Sequence, residues 1–345
     1  MPFFRLGERC VGDGYRPLVI AEIGINHEGD INKAFRMIDD ARLAGCECVK
    51  FQSHVIEDEM APSAKNIVPS NAEESIWDIM KRCSFSEAEE AQLKQYVEKK
   101  GLFFLSTPFS RAAALRLERL GAKAYKIGSG ECNNYPLVEL VASFKKPVIL
   151  STGMNSIDSI GVSVDILRKY DVPFALLHCT SMYPTPYAKV RLGALKQLRE
   201  AFPDAVIGLS DHCETIYPCL GAVALGASIL ERHFTSDKSW PGPDIPISME
   251  PQELKELIIA SRAIYEASGG EKGILPEEQP TIDFAYACVV AEKDIAQGEV
   301  LTEANIWVKR PGTGEISASE YKAILGRKTK IAIRAGSQLR WEDLL

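Results

Sequence analysis

Absent from this chain of 345 residues is any apolar run near the ~20 residues that a membrane-spanning helix needs, so no membrane partner is expected. The opening residues, Met1-Pro2-Phe3-Phe4-Arg5, carry no apolar signal-peptide core, and a cytoplasmic protein is expected. Positive charge is in deficit: 40 Lys and Arg stand against 47 Asp and Glu, a net charge of −7. A mildly acidic chain is a poor nucleic-acid binder unless its basic residues cluster, and no such partner is expected. The nine cysteines are odd in number and scattered, which reads as reduced thiols rather than a disulfide framework. No Gly-x-Gly-x-x-Gly turn opens the first helical stretch, which argues against a dinucleotide site.

What is present is one pattern repeated eight times. An apolar, β-branched run ends in polar residues, and an amphipathic helical stretch follows. The strand candidates are Leu18–Asn26, Cys46–Ser53, Leu102–Pro108 and Ala124–Gly130, then Lys146–Gly153, Phe174–Ser181, Ala205–His212 and Ser228–Thr235. In Asn32–Gly45, Ala34, Met37, Ile38 and Ala41 share one helical face, and Gly45 closes the C-terminus. The strands are too continuously apolar to have a wet face, so they read as parallel and covered on both sides. Eight such units predict an α/β fold, a closed (β/α)8 TIM barrel. Residues 54–85 show no strong period and read as a long loop walling the site.

Around residues 268–282 the character changes to Gly-, Pro- and Glu-rich sequence. The expected division is a barrel over residues 1–268, a linker over 269–283 and a small, mainly β domain over 284–345. In the last segment nine Lys and Arg meet eight Asp and Glu, so the acidic bias belongs to the barrel.

Sites in such barrels form at the C-terminal strand ends, and there every unit delivers charged or hydroxyl groups. His212 and His233, on the seventh and eighth strands, would stand on neighbours ~4.8 Å apart. Two inward imidazoles there can share one divalent cation. The competing reading is a pair of buried histidines satisfied by backbone groups. Glu22 and Glu231 on nearby strands suit supporting or acid/base roles, which favours the metal. His27, His54 and His178 read as structural. Lys50 and Lys126 lie inside apolar runs, where an unpaired ammonium is expensive. Salt bridges to Glu22 or Glu131, a Schiff-base lysine, or an anion site all answer that cost. Two lysines with Thr107, Ser129, Ser151 and Ser210 look most like a cradle for phosphate plus carboxylate.

Taken together, these strings resemble a family. Ala21-Glu22-Ile23-Gly24-Ile25-Asn26-His27-Glu28-Gly29-Asp30 resembles the N-terminal motif of sialic acid synthases. Val49–Gln52, Ser106–Phe109, Lys126–Glu131, Leu150–Met154, Leu177–Thr180, Tyr183–Pro186, Gly208–His212, Glu231–Thr235 and Gly242–Asp244 follow in the family's order. Residues 284–345 resemble the antifreeze-like (SAF) domain of the same enzymes, with Arg310–Gly314 as its signature loop.

The resemblance implies a phosphoenolpyruvate-dependent N-acetylneuraminate synthase, working as a domain-swapped homodimer. Phosphoenolpyruvate would condense with an N-acetylmannosamine-type sugar and water, releasing phosphate. It implies His212 and His233 as ligands of a divalent metal, Mn2+ first, with Mg2+ or Co2+ as alternatives. Glu22 and Glu231 match carboxylates beside that metal. Lys50, Thr107, Lys126, Ser129, Ser151, Ser181 and Ser210 match phosphoenolpyruvate contacts. Gln52, Asn71, Glu131, Tyr183 and Asp244 match sugar-side positions, and Arg310 an arginine reaching across from the partner's small domain. Ser181 departs from the Asn that relatives making N-acetylneuraminate often carry, and its reach is shorter. Legionaminate, pseudaminate and 6-phosphate-specific synthases remain alternatives.

Overall fold

The structure, a computed structural model, describes residues 2–69 and 72–345; the expected sugar-side Asn71 lies outside them. All eight strand candidates form strands: β1 (Leu18–Gly24), β2 (Cys48–Ser53), β3 (Phe103–Pro108), β4 (Tyr125–Ile127), β5 (Val148–Ser151), β6 (Phe174–Cys179), β7 (Val206–Asp211) and β8 (Ile229–His233). They pair in parallel in the order β3-β2-β1-β8-β7-β6-β5-β4. The end strands β3 and β4 lie against each other, so the sheet curls into a nearly closed (β/α)8 barrel.

Alternation along each strand sorts the residues into two layers. One set, including Val19, Ala21, Val49, Leu150 and Leu176, packs under the helices. The other set fills the barrel. Leu18, Ile20, Cys48, Leu105, Ile149, Ala175, Val206 and Ile229 form its apolar lower layers. One pleat higher, the same faces carry Glu22, Lys50, Thr107, Lys126, Ser151, Ser210 and Glu231, all buried. An N-terminal hairpin, Phe3–Leu6 paired with Arg9–Gly12, adds Phe4, Leu6 and Val11 to the inner cluster and plugs the lower end. Its strands are only four residues each, too short for a periodic signal.

The helix Ile31–Leu43 buries the four residues expected of it, and the Asp30 carboxylate accepts from the amides of Asn32 and Lys33. Residues 54–85 differ from the loop expected. They hold short helices at Ile56–Glu59 and Pro62–Asn66 and a two-turn helix at Ile76–Cys83, capped by Ser75. Each is too brief to show a 3.6-residue period over the ~11 residues such a reading needs. The helix Glu87–Lys99 is opened by a Ser86–Glu89 capping box. Among its buried residues is Glu90, which accepts from Ser53 and pairs with Arg116; that polar residue on the inner face blurs the apolar stripe.

Residues 270–345 form a second compact unit. Its own core gathers Val289, Ile306, Ile316, Ile324, Leu339 and other apolar residues around an antiparallel pair, Cys288–Ala291 with Ile306–Lys309. Thr329 and Ile333 make isolated bridges to Leu344 and Ile295. The second half of the expected linker is helical, Gln279–Ala285. Arg310 is exposed on a loop held down at Gly312, whose amide donates to the Asp283 carbonyl at 2.7 Å. A β-carbon at Gly312 would lie 2.6 Å from the Ile282 carbonyl oxygen, so only glycine fits there. Among the described residues no helix is long and apolar enough to cross a membrane.

Candidate active site

The upper barrel layer is one connected network. Lys50 Nζ lies 2.8 Å from Glu22 Oε2 and 3.5 Å from Glu231 Oε1, and donates to Thr107 Oγ1 at 3.3 Å. Lys126 Nζ donates to Ser151 Oγ at 2.6 Å and to the Ile127 carbonyl at 2.9 Å, and stands 3.8 Å from Glu231 Oε1. Ser210 Oγ donates to the same carboxylate oxygen at 3.2 Å. Strand register builds this contact set. Glu22 faces Lys50 across β1–β2, and Ser210 faces Glu231 across β7–β8.

The internal salt bridge therefore exists, through Glu22 and Glu231 and not through Glu131. Glu131 accepts instead from Asn134 Nδ2 at 2.5 Å, and burial raises its carboxyl above the usual range. Burial depresses Lys50, but the two carboxylates outweigh it and its ammonium is held above its ordinary value. Lys126 ends below its ordinary value through burial, reinforced by Lys50 and opposed by Glu231. Burial acts upward on Glu231, and Lys126 and Lys50 override it, keeping the carboxylate ionised.

The contacts of Glu231 with the lysines exceed the ~2.7–2.9 Å of a charge-assisted hydrogen bond, so the ammonium donors are not saturated. Its second oxygen, Oε2, is buried without a hydrogen-bond partner. Cations with spare donors beside an unpartnered carboxylate oxygen can hold an anion and take up a proton.

His212 and His233 stand at the tops of β7 and β8 with ring centroids 5.5 Å apart. The same alternation turns Asp211 and Arg232 outward, where they pair at 2.8 Å. His212 Nδ1 donates to the Thr180 carbonyl at 3.0 Å, so in the neutral ring the lone pair sits on Nε2. His233 Nδ1 is buried without a hydrogen-bond partner, and burial with His212 alongside pulls its ring well below the usual value.

One imidazole oriented by a carbonyl, beside another with an unpartnered nitrogen, fits a divalent cation. Among the described residues no three His, Cys, Asp or Glu converge on one point. The chain would thus supply two imidazoles and leave the other positions to water and substrate. The Tyr183 ring packs tilted against His212 with centroids 4.2 Å apart, and burial and then Asp244 raise its phenol. Asp244 lies 3.7 Å from His233, and burial pushes its carboxyl up to about 6.

Two expected hydroxyl positions meet at a glycine. The Gly153 amide donates to Ser129 Oγ at 3.0 Å. A β-carbon there would lie 2.5 Å from Ser181 Oγ, 2.8 Å from Ser129 Oγ and 3.2 Å from Cys179 Sγ. Gly153 and Cys179 were not expected at the site. Cys179 continues the inward face of Ala175 and Leu177, so strict period-2 reading of β6 finds it.

Gln52 Nε2 donates to Glu22 Oε1 at 2.9 Å. Gly24, at φ +55°, makes room for that contact: its β-carbon would lie 3.2 Å from Glu22 Oε1 and 3.3 Å from Gln52 Nε2. His27 stacks on Phe85 and His178 Nε2 donates to the Val190 carbonyl at 2.6 Å. Arg310 belongs to the second unit.

Residues 37–273 match the NeuB family and residues 286–345 the SAF domain. The N,N'-diacetyllegionaminic acid synthase of Campylobacter jejuni is 39% identical over 90% of this chain and 95% of its own length. The N-acetylneuraminate-9-phosphate synthase of Homo sapiens is 33% identical over 94% of this chain and 92% of its own. A crystal structure of the N-acetylneuraminic acid synthetase of Leptospira borgpetersenii, in complex with citrate, superposes with a TM-score of 0.75 at 34% identity. It covers 81% of this chain and 95% of that one.

Proposed function

The chain belongs to the NeuB family, and from that premise we propose that it condenses phosphoenolpyruvate with an N-acetylmannosamine-type aldose and water, forming a nonulosonic acid and releasing phosphate. The observation that carries this reading is the buried floor of Lys50, Lys126, Glu22 and Glu231 with one unpartnered carboxylate oxygen. Lys126, with hydroxyls from Thr107, Ser129, Ser151, Ser181 and Ser210, binds the phosphate and carboxylate of phosphoenolpyruvate. Tyr183, Asp244 and Gln52 meet the sugar, as would Asn71 and Glu131. Arg310 is read as the contribution of a second copy's small domain, in a domain-swapped homodimer. His212 and His233 would hold a divalent ion, Mn2+ first, which when bound would supply Lewis-acid polarisation of the sugar carbonyl.

The C2=C3 electron pair of phosphoenolpyruvate forms a bond from C3 to the aldehyde carbon, whose oxygen takes a proton from solvent water. Positive charge develops at C2 above the Glu22 and Glu231 carboxylates, which stabilise it. Water adds at C2, and its proton passes to Glu231 Oε2. The C2–O bond to phosphate then breaks with its electron pair leaving on phosphate, which takes up the C2 hydroxyl proton, leaving the 2-keto acid. The lysines hold the substrate's negative charge throughout.

A second reading keeps this chemistry and changes the sugar to a 2,4-diacetamido-trideoxy aldose. The 39% identity to a relative named as a legionaminic acid synthase favours it. The test is phosphate release from phosphoenolpyruvate with Mn2+, offering N-acetylmannosamine, its 6-phosphate and the diacetamido sugar in parallel, each with and without EDTA. Metal-dependent release with one sugar supports the reaction and names the product. Release with none refutes it.

A further inference from the structure

His54 lies at the end of β2, outside the network described so far. Its ring is buried, with a side-chain exposure of 2%, and stacks on Phe109 with centroids 4.7 Å apart. Both nitrogens are engaged. Nδ1 is 2.8 Å from Glu59 Oε2, and Nε2 is 3.1 Å from Gln52 Oε1. The other end of the Gln52 amide donates to Glu22 Oε1, whose partner oxygen contacts Lys50. A single chain of contacts thus runs Glu59–His54–Gln52–Glu22–Lys50.

The proton count along that chain is constrained. Glu22 accepts, so the Gln52 nitrogen must face it and the Gln52 oxygen must face His54. A carbonyl oxygen only accepts, so His54 Nε2 carries a proton. The Glu59 carboxylate also only accepts when ionised, so Nδ1 carries one too. A ring donating from both nitrogens is an imidazolium. The opposite amide orientation would set Gln52 Oε1 against Glu22 Oε1 at hydrogen-bond distance, acceptor to acceptor.

We propose that His54 is held as an imidazolium between Glu59 and Gln52, and is a positioning residue that fixes the Gln52 amide so that Glu22 is aimed into the site. The charged groups around the ring are consistent with that. Glu59 comes from the short helix Ile56–Glu59 after β2, and Glu90 acts on the ring from the helix Glu87–Lys99. His27 opposes from the loop after β1, though burial pulls its ring down to about 3, so it is neutral near pH 7. Glu90 is itself paired with Arg116, which leaves Glu59 as the dominant partner. The functional half of this proposal rests on the condensation reaction above. The protonation half does not.

Two variants separate position from packing. His54→Phe keeps the ring stack on Phe109 and loses both donors. His54→Gln places an amide N–H near the Nε2 position and restores the bond to Gln52. The expected result is a fall in kcat of about tenfold for His54→Phe, within the range seen when an orienting partner is removed. KM for phosphoenolpyruvate should change little, and His54→Gln should recover most of the loss. Equal activity of the two variants, high or low, overturns the positioning role.

The second arm uses 15N-histidine-labelled full-length protein, with His54→Gln to assign the resonance. Both ring nitrogens of His54 should be protonated near neutral pH, and should lose that state in Glu59→Gln. A neutral tautomer in the wild-type protein overturns the proposal. This arm reads out even if no sugar is turned over, so failure of the proposed reaction and failure of the histidine assignment remain distinguishable.

Discussion

Replacing Arg232 with Met should be among the most destabilising single changes in the barrel. The guanidinium is 1% exposed on its side chain, and its partner Asp211 is 2% exposed. It donates to Asp211 Oδ2 at 2.8 Å, to the Cys213 carbonyl at 2.5 Å and to the Ile247 carbonyl at 3.3 Å, and it also contacts the Thr215 carbonyl. Met fills the stem's volume but donates nothing. Asp211 keeps only the Cys213 amide at 3.2 Å and a long thiol contact. Stranding one member of a buried pair costs about 3–5 kcal/mol. At roughly 2–4 °C per kcal/mol for a domain of this size, the midpoint should fall by roughly 10 °C. Calorimetry and urea unfolding of Arg232→Met measure it. Adding Asp211→Leu should recover roughly 2 kcal/mol by removing the stranded carboxylate, while the three carbonyls stay unpaired. A loss under about 1 kcal/mol in the single variant, or no recovery in the double, would refute the reasoning. The pair joins β7 to β8 between Ser210 and His212 on one strand and Glu231 and His233 on the other, so it also sets the geometry of the site.

Lys126→Met removes the donor to Ser151 and one cation of the floor. Hydrogen bonds to charged groups are worth about 1.5–3 kcal/mol, so kcat/KM for phosphoenolpyruvate should fall about 10- to 100-fold in steady-state assays; a change under about threefold would count against the cradle. Gly153→Ala places a methyl against Ser181 and Ser129. Calorimetry should show an intact fold, while phosphoenolpyruvate affinity by titration drops about tenfold, from ~1–3 kcal/mol of overpacking. Burial pulls His27 down to about 3, whereas an unfolded histidine titrates at ~6.5. The unfolded chain therefore binds a proton the native one refuses, and stability is lost as pH falls through that window, by up to about 1.4 kcal/mol per unit. His27→Phe should flatten this slope in urea unfolding series at successive pH values, and identical slopes would contradict it.

Much of the barrel was legible because its strands are buried on both faces, which leaves continuous apolar runs such as Val206–Leu209 and Ile229–Leu230. The buried polar cluster was legible because a lysine inside such a run demands a counter-charge or an anion, and Lys50 and Lys126 both sit in one and meet Glu22 and Glu231. What escaped has physical causes. Arg232 and Glu231 are adjacent charges, and only knowledge of the inward register separates the clamp from the site. Gly153 acts by lacking a side chain, and that depends on Ser129 and Ser181 arriving from other strands. The role of His54 is set by contacts with Glu59 and Phe109 that no sequence spacing reports.

The most direct test of the central claim is the fate of the bridging oxygen of phosphoenolpyruvate labelled with 18O. Turnover with the accepted aldose should place the label in released phosphate, because the C2–O bond breaks. Label retained in the organic product, or phosphate released at the same rate without any aldose, would contradict the proposed reaction.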